Sequence, residues 1–211
     1  MEIDDLDLLA QKYILDKHIS TKCHNYISNY SEIFKNIRNN VKTVLEIGIG
    51  SVENGQMGGI VYLGYKTGNS LKCWSEYFVN AKIYGIDIFE HTELNCEKIQ
   101  TIVADQSSEK DLFNALQIID SKLDIIIDDG SHLAEHQVFS FIFLNKYLSE
   151  NGLYIIEDIQ PQNIEKFKDL SIFPSDFITY INTYFNVRYF DTRNTLGRAD
   201  DFMVCFSKKI I

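Results

Sequence analysis

The sequence has little that would carry it through a membrane and little that would staple it. No stretch approaches the ~20 continuous apolar residues that a membrane helix requires. The start, MEIDDLDLLAQKY, is acidic, whereas a secretory signal begins basic and then turns apolar, so a cytoplasmic location is expected, in a bacterium or in a host cell if the gene is viral. Cys23, Cys73, Cys96 and Cys205 are widely spaced and form no CxxC pair, which points to free thiols and away from a zinc site or a disulfide framework. Positive charge is also short: 20 Lys and Arg face 30 Asp and Glu, and the net charge of −10 opposes long-range attraction to nucleic acid. Internal repeats and low-complexity linkers are absent. What is present suits a folded globular protein, with 45% hydrophobic and 24% charged residues. The 211 residues fit a single domain, 1–211, in which 1–38 form an N-terminal helical segment.

Residues from about Leu6 to Arg38 read as two helices broken near the polar stretch Asp16–Asn25. Val41–Ile47, Lys82–Asp87, Ile99–Val103, Leu123–Ile127 and Gly152–Ile156, the last after an Asn-Gly turn, read as strands. Helices are expected at Ser70–Phe78, Glu109–Ile119 and Leu133–Leu148. Continuous apolar strands alternating with helices predict an open, doubly wound parallel sheet covered on both faces. The chain holds only two prolines, and beyond Pro161 the pattern shifts. A helix at Asp176–Phe185 follows Pro174, then two strands, Val187–Phe190 and Phe202–Phe206, whose short connection favours an antiparallel pair.

In such a sheet ligands bind beyond the carboxyl ends of the strands, where this sequence gathers its polar residues. The first strand ends in Glu46-Ile47-Gly48-Ile49-Gly50, and both glycines permit a tight turn and close approach to a ligand. Asp87 ends the second strand and is placed to accept hydrogen bonds from ribose hydroxyls; Asp105, Gln106 and Ser107 follow the third and face the adenine end. Turn or helix capping is the alternative role for each Asp. A dinucleotide fingerprint would carry a third glycine, where this chain has Glu53, a poor neighbour for a pyrophosphate. An adenosyl cofactor without pyrophosphate fits better, S-adenosylmethionine above all. Asn54–Asn69 holds five glycines and reads as a structural loop or as a cover over the cofactor.

The strongest local signal is Ile125-Ile126-Ile127-Asp128-Asp129-Gly130-Ser131-His132, with Glu157-Asp158 at the end of the next strand. If these strands are neighbours, Asp129, Glu157 and Asp158 converge, and crowded carboxylates call for a hard cation such as magnesium. Asp128 serves either as support or as a cofactor contact. His132, near the start of the following helix, is the candidate general base, and His136 lies one turn further on. A catechol-type O-methyltransferase, an NAD-binding enzyme and a non-catalytic Rossmann-like binding protein are the competing readings.

LEIGIG (45–50), GNSLKCWSEYF (68–78), IYGIDI (83–88), ADQSS (104–108), IIIDDGSHLAEHQVFSF (125–141) and NGLYIIEDIQ (151–160) resemble the TylF/MycE family of macrolide-sugar O-methyltransferases. The likeness runs from about Asp16, where DK and a later HNY echo an upstream family segment, to the terminal DFMVCFSKK. It implies a Rossmann-like class I methyltransferase fold, with a mainly parallel seven-stranded sheet and a C-terminal antiparallel pair. It further implies S-adenosylmethionine beside a magnesium ion on Asp129, Glu157 and Asp158, with His132 as base. Glu46, Gly48, Gly50, Asp87, Asp105, Gln106, Ser107 and Asp128 would make the cofactor site. The implied acceptor is a deoxysugar hydroxyl, free, nucleotide-linked or part of a larger product, in glycan or natural-product biosynthesis. The large N-terminal auxiliary region of some macrolide enzymes has no counterpart here, Pro161–Ala199 offers no match that fixes the acceptor, and a homo-oligomer is left open.

Overall fold

The computed structural model describes residues 5–52 and 57–209, so Glu53, Asn54 and Gly55 lie outside the described residues. In chain order the elements are α1 (Asp5–Lys12), α2 (Ile27–Phe34), β1 (Thr43–Ile47), α3 (Gly58–Val61), α4 (Asn69–Tyr77), β2 (Lys82–Asp87), β3 (Ile99–Val103), α5 (Glu109–Ile119) and β4 (Leu123–Asp128). They continue with α6 (Ala134–Leu144), β5 (Leu148–Ile156), α7 (Ile164–Lys168), α8 (Ser175–Tyr184), β6 (Phe185–Asp191), α9 (Arg193–Leu196) and β7 (Phe202–Lys208). The sheet runs β3-β2-β1-β4-β5-β7-β6. β1 to β5 pair in parallel, while β7 lies antiparallel to both β5 and β6. This is the class I methyltransferase arrangement. The strand order reverses between β1 and β4, and at that switch point crossover helices leave toward opposite faces and open a crevice.

Alternation along the strands divides the core in two. Val44, Ile125, Ile127 and Ile155 point toward the layer of α1, α2 and α4, where Tyr30, Phe34, Trp74 and Phe78 interlock edge to face. Leu45, Ile126, Tyr154 and Ile156 point the other way, into a layer built on Leu112, Phe141, Phe173 and Phe185. Burial on both faces explains why these strands read as unbroken apolar runs. α5 is capped as its sequence demands: Ser108 Oγ accepts from Asp111 N, and the helix ends at Asp120 in the left-handed region.

Two details depart from expectation. Asn151-Gly152 does not turn before a strand; both residues lie within β5, which starts at Leu148 and shifts register against β4 between Leu123 and Ile125. The polar stretch after α1 is not a plain break either. It is folded inward beneath the carboxyl ends of β4 and β5, with Lys17 and His24 buried. No helix among the described residues is long and apolar enough to cross a membrane, and all four cysteines are free.

Candidate active site

The loops after β1 and β4 are stitched together by the backbone. Asp129 N donates to Ile47 O (2.9 Å), and Gly48 N donates to Ile86 O (2.8 Å). Gly48 adopts φ 77°, and a Cβ there would collide with the carbonyl oxygen of Asp129. At Gly50, φ 64°, a Cβ would strike the Tyr65 hydroxyl. These glycines therefore secure close approach of protein to protein at the edge of the crevice. Beside them opens a cavity of about 680 Å³.

Of the expected cofactor residues, Gly48, Gly50, Asp87, Asp105 and Gln106 line this cavity. Asp87 shapes the loops on either side, its carboxylate accepting from Ile49 N (3.3 Å) and Phe89 N (3.0 Å). Ser107 is exposed and donates to Asp105 Oδ1 (2.7 Å), and that bond holds the Asp105 carboxyl below the usual carboxylate range. Glu46 and Asp128 do not line the cavity, and their carboxylates meet protein donors. Strand alternation turns the Glu46 carboxylate inward, where it accepts from Ser70 Oγ (2.6 Å) and Trp74 Nε1 (3.2 Å); burial pushes its pKa up to about 7. Asp128 is fully buried and accepts from Ser140 Oγ (2.6 Å), Gln106 Nε2 (3.0 Å) and Tyr154 OH (3.3 Å). Gln106 in turn accepts from Ser131 N (2.7 Å), so Asp128 supports the loop that carries the histidine.

Asp129, Glu157 and Asp158 do converge at the ends of β4 and β5, but they meet a cation from their own chain. Lys17, 1% exposed, donates from Nζ to Asp129 Oδ2 and to Glu157 Oε2 (2.6 Å). Burial opposes its charge, yet the two carboxylates outweigh that cost and hold the ammonium well above the ordinary lysine range. Tyr30 OH donates to the other Glu157 oxygen, so both oxygens of Glu157 are committed behind the cavity wall. Burial, opposed by Lys17, raises the Glu157 carboxyl well above its usual range. Asp158 is also raised by burial; its Oδ1 accepts from Tyr26 OH (2.6 Å) and lies 3.1 Å from His24 Nδ1. His24 Nδ1 is in addition 2.6 Å from Asp201 Oδ1.

What faces the cavity is Asp129, His132 and Asp158, whose potential ligand atoms lie within 4.8 Å of one another. Of the three carboxylates expected to hold the metal, Asp129 and Asp158 line the cavity while Glu157 stands behind it on Lys17, and His132, the expected base, lines the cavity beside them. His132 Nε2 is 3.9 Å from Asp158 Oδ2, and His132 Nδ1 is buried without a hydrogen-bond partner among the described residues. His132 (φ 57°) and Asp158 (φ 51°) both adopt left-handed backbone conformations, each at a cost of roughly 1–2 kcal/mol for a residue with a Cβ. The surrounding ladder and hydrogen bonds hold both side chains toward the same space despite that cost. His136 Nδ1 lies 2.9 Å from Ser131 Oγ and also lines the cavity.

Lys17, His24, Tyr26 and Tyr30 carry no expected site role, although together they clasp all three carboxylates. The available signal was the polar interruption itself. A stretch holding Asp16, Lys17, His18 and His24 between two amphipathic helices is more ionisable than a connection requires.

No protein-family model matches the chain. It is 36% identical over 137 residues to the 8-demethyl-8-alpha-L-rhamnosyl tetracenomycin-C 2'-O-methyltransferase of Streptomyces olivaceus, covering 65% of this chain and 34% of that protein. It is 35% identical over 155 residues to the demethylmacrocin O-methyltransferase of Streptomyces fradiae, covering 74% of this chain and 36% of the relative. The chain thus spans about a third of the length of these curated relatives. Among solved structures, the MycE methyltransferase of the mycinamycin pathway, in complex with Mg, SAH and mycinamycin VI, superposes with a TM-score of 0.72 at 22% identity. That match covers 98% of this chain and 55% of the other. At that identity the superposition speaks for the fold, and the sequence matches carry the relationship: the chain is homologous to the TylF/MycE-type macrolide-sugar O-methyltransferases.

Proposed function

We propose that this chain binds S-adenosylmethionine and a magnesium ion and transfers the methyl group to a hydroxyl of a sugar. The observation that carries the reading is the convergence of Asp129, His132 and Asp158 on the cavity that Gly48 and Asp87 border. The relatives named above, both O-methyltransferases by description and the first acting on a rhamnosyl compound, agree with it.

The donor set fits a divalent ion. Three carboxyl groups gather here around one described ammonium, that of Lys17, and Asp129 and Asp158 present hard oxygen donors to the cavity, the donor type a divalent cation takes. Asp129 and Asp158 would hold such an ion at the cavity, with Glu157 as reserve charge behind Lys17. When bound, the ion would lower the pKa of the acceptor hydroxyl. The cavity also fits the adenosyl group. Its volume suits a cofactor-sized molecule, and each Asp87 oxygen, already accepting one backbone N–H, keeps a lone pair for a ribose hydroxyl. His132 takes the hydroxyl proton, and Asp158 stabilises the resulting imidazolium. When bound, S-adenosylmethionine would supply the methyl group to the acceptor oxygen, its carbon–sulfur bond breaking as the new carbon–oxygen bond forms and its sulfur becoming a neutral thioether.

No Phe, Tyr or Trp lies among the described lining residues, which favours a sugar over a catechol. Asp16, Asp87, Asp105, Asp129 and Asp158 line the cavity with no Lys or Arg among its described residues, which favours a glycoside or free sugar over a nucleotide-linked one. Lys17 inside the carboxylate cluster is the observation that favours the alternative, a binding protein without turnover. One assay separates these readings: transfer of labelled methyl from S-adenosylmethionine to free, glycosidic and nucleotide-linked deoxysugars, with and without magnesium. Magnesium-dependent label in the sugar supports the proposal. Cofactor binding with no transfer to any acceptor supports the binding protein, and label in catechols alone overturns the sugar.

A further inference from the structure

The position of Lys17 carries a further step, which rests on the metal-dependent reading. An ammonium that is 1% exposed and donates to two of three clustered carboxylates is the counter-ion of that cluster. We propose that Lys17 is a built-in counter-ion that keeps the carboxylate centre assembled without metal, and that weakens the centre's hold on a divalent cation so that the ion stays exchangeable.

Three features of its placement support this. Lys17 approaches from the side of α2 and the sheet, behind the cavity wall: Asp129 and Asp158 line the cavity, and Lys17 and Glu157 do not. The divalent ion and the ammonium therefore approach the carboxylates from different sides and share Asp129 between them. Second, of the other groups on these carboxylates, Tyr26 and Tyr30 are neutral donors, His24 is divided between Asp158 and Asp201, and His132 stands 3.9 Å from Asp158 alone. Removing Lys17 leaves no other Lys or Arg hydrogen-bonded to Asp129 or Glu157 among the described residues. Third, a cation fixed by the chain repels an incoming cation while holding its ligands in place. Affinity is exchanged for a site already formed. A lysine that merely tied the N-terminal segment down would have no such effect on the ion.

The test is manganese binding, measured by calorimetry and by paramagnetic resonance, together with melting in EDTA and in saturating magnesium, for the natural chain and Lys17→Met. The expected result is that Lys17→Met melts lower than the natural chain in EDTA, recovers much more of its melting temperature with magnesium, and binds manganese at least about tenfold more tightly. Equal or weaker manganese binding by a folded Lys17→Met overturns the proposal while leaving the metal-dependent reading intact. If the natural chain binds no manganese, both fall together. Should Lys17→Met fail to fold in EDTA, the charge-compensated Lys17→Met/Glu157→Gln pair serves. It is expected to fold in EDTA, and failure to do so even though magnesium does not rescue Lys17→Met would make Lys17 a packing residue only.

Discussion

Asp128 and Asp129 are neighbours in sequence at the end of one strand, yet they live in different electrostatic worlds. Asp128 faces the layer of α5 and α6 and is met by a serine, a glutamine and a tyrosine, all neutral donors within hydrogen-bond reach. Asp129 lies just past the strand and is met by a buried ammonium and by open space. The lesson is that a carboxylate surrounded by neutral donors is finished, whereas one facing a cavity and sharing a single ammonium, among the described residues, with Glu157 is still available to a ligand. Glu46 belongs with Asp128, held by Ser70 and Trp74; Asp158 belongs with Asp129.

This contrast can be broken by substitution, and the effects should fall in order. Asp129→Ala is expected to lower magnesium-dependent methyl transfer by about 1000-fold, with S-adenosylmethionine affinity nearly unchanged by calorimetry. His132→Ala should lower kcat by about 100-fold, again with little change in cofactor affinity; an equal loss in both would mark a structural residue. Asp128→Ala should act on the other scale: the orphaned Ser140, Tyr154 and Gln106 donors cost about 3 kcal/mol in denaturant unfolding, while manganese binding persists. The smallest effect concerns Glu46, whose folded pKa of about 7 lies above its ordinary 4.5. Such an acid holds its proton more tightly when folded, so its contribution to stability is greatest at low pH and is lost as pH rises from about 4.5 through about 7. Glu46→Gln should flatten that slope and leave the protein more stable at pH 8, by on the order of 1–3 kcal/mol.

The fold was legible where local pattern and final environment agree. β2, β3 and α5 stand at the residues their apolar rhythm indicates, because each is flanked by its own turn or cap. β5 was read too short because an Asn-Gly pair favours a turn in isolation, while pairing with β4 across a register shift absorbs it. Within the site, the convergence of Asp129, His132 and Asp158 was legible because adjacent strand ends place them together. The direction of the Glu46 and Asp128 side chains was not, since only the pleat decides whether a strand-end carboxylate turns to the cavity or to the core. Lys17 was the least legible. It meets Asp129 across 112 residues and Glu157 across 140, and no periodicity reports contacts at that range.

Gly48 ties these observations together in mechanical terms. With no Cβ, it lets the loop after β1 lie directly against the Asp129 carbonyl, so no side chain cushions the seam between the side of the cavity that holds Asp87 and the side that holds Asp129. A wedge as small as one methyl group at this seam would part the two loops and carry the Asp129 carboxylate away from Asp158 and His132. The spacing between the two loops is thus set by the thickness of a single bare backbone.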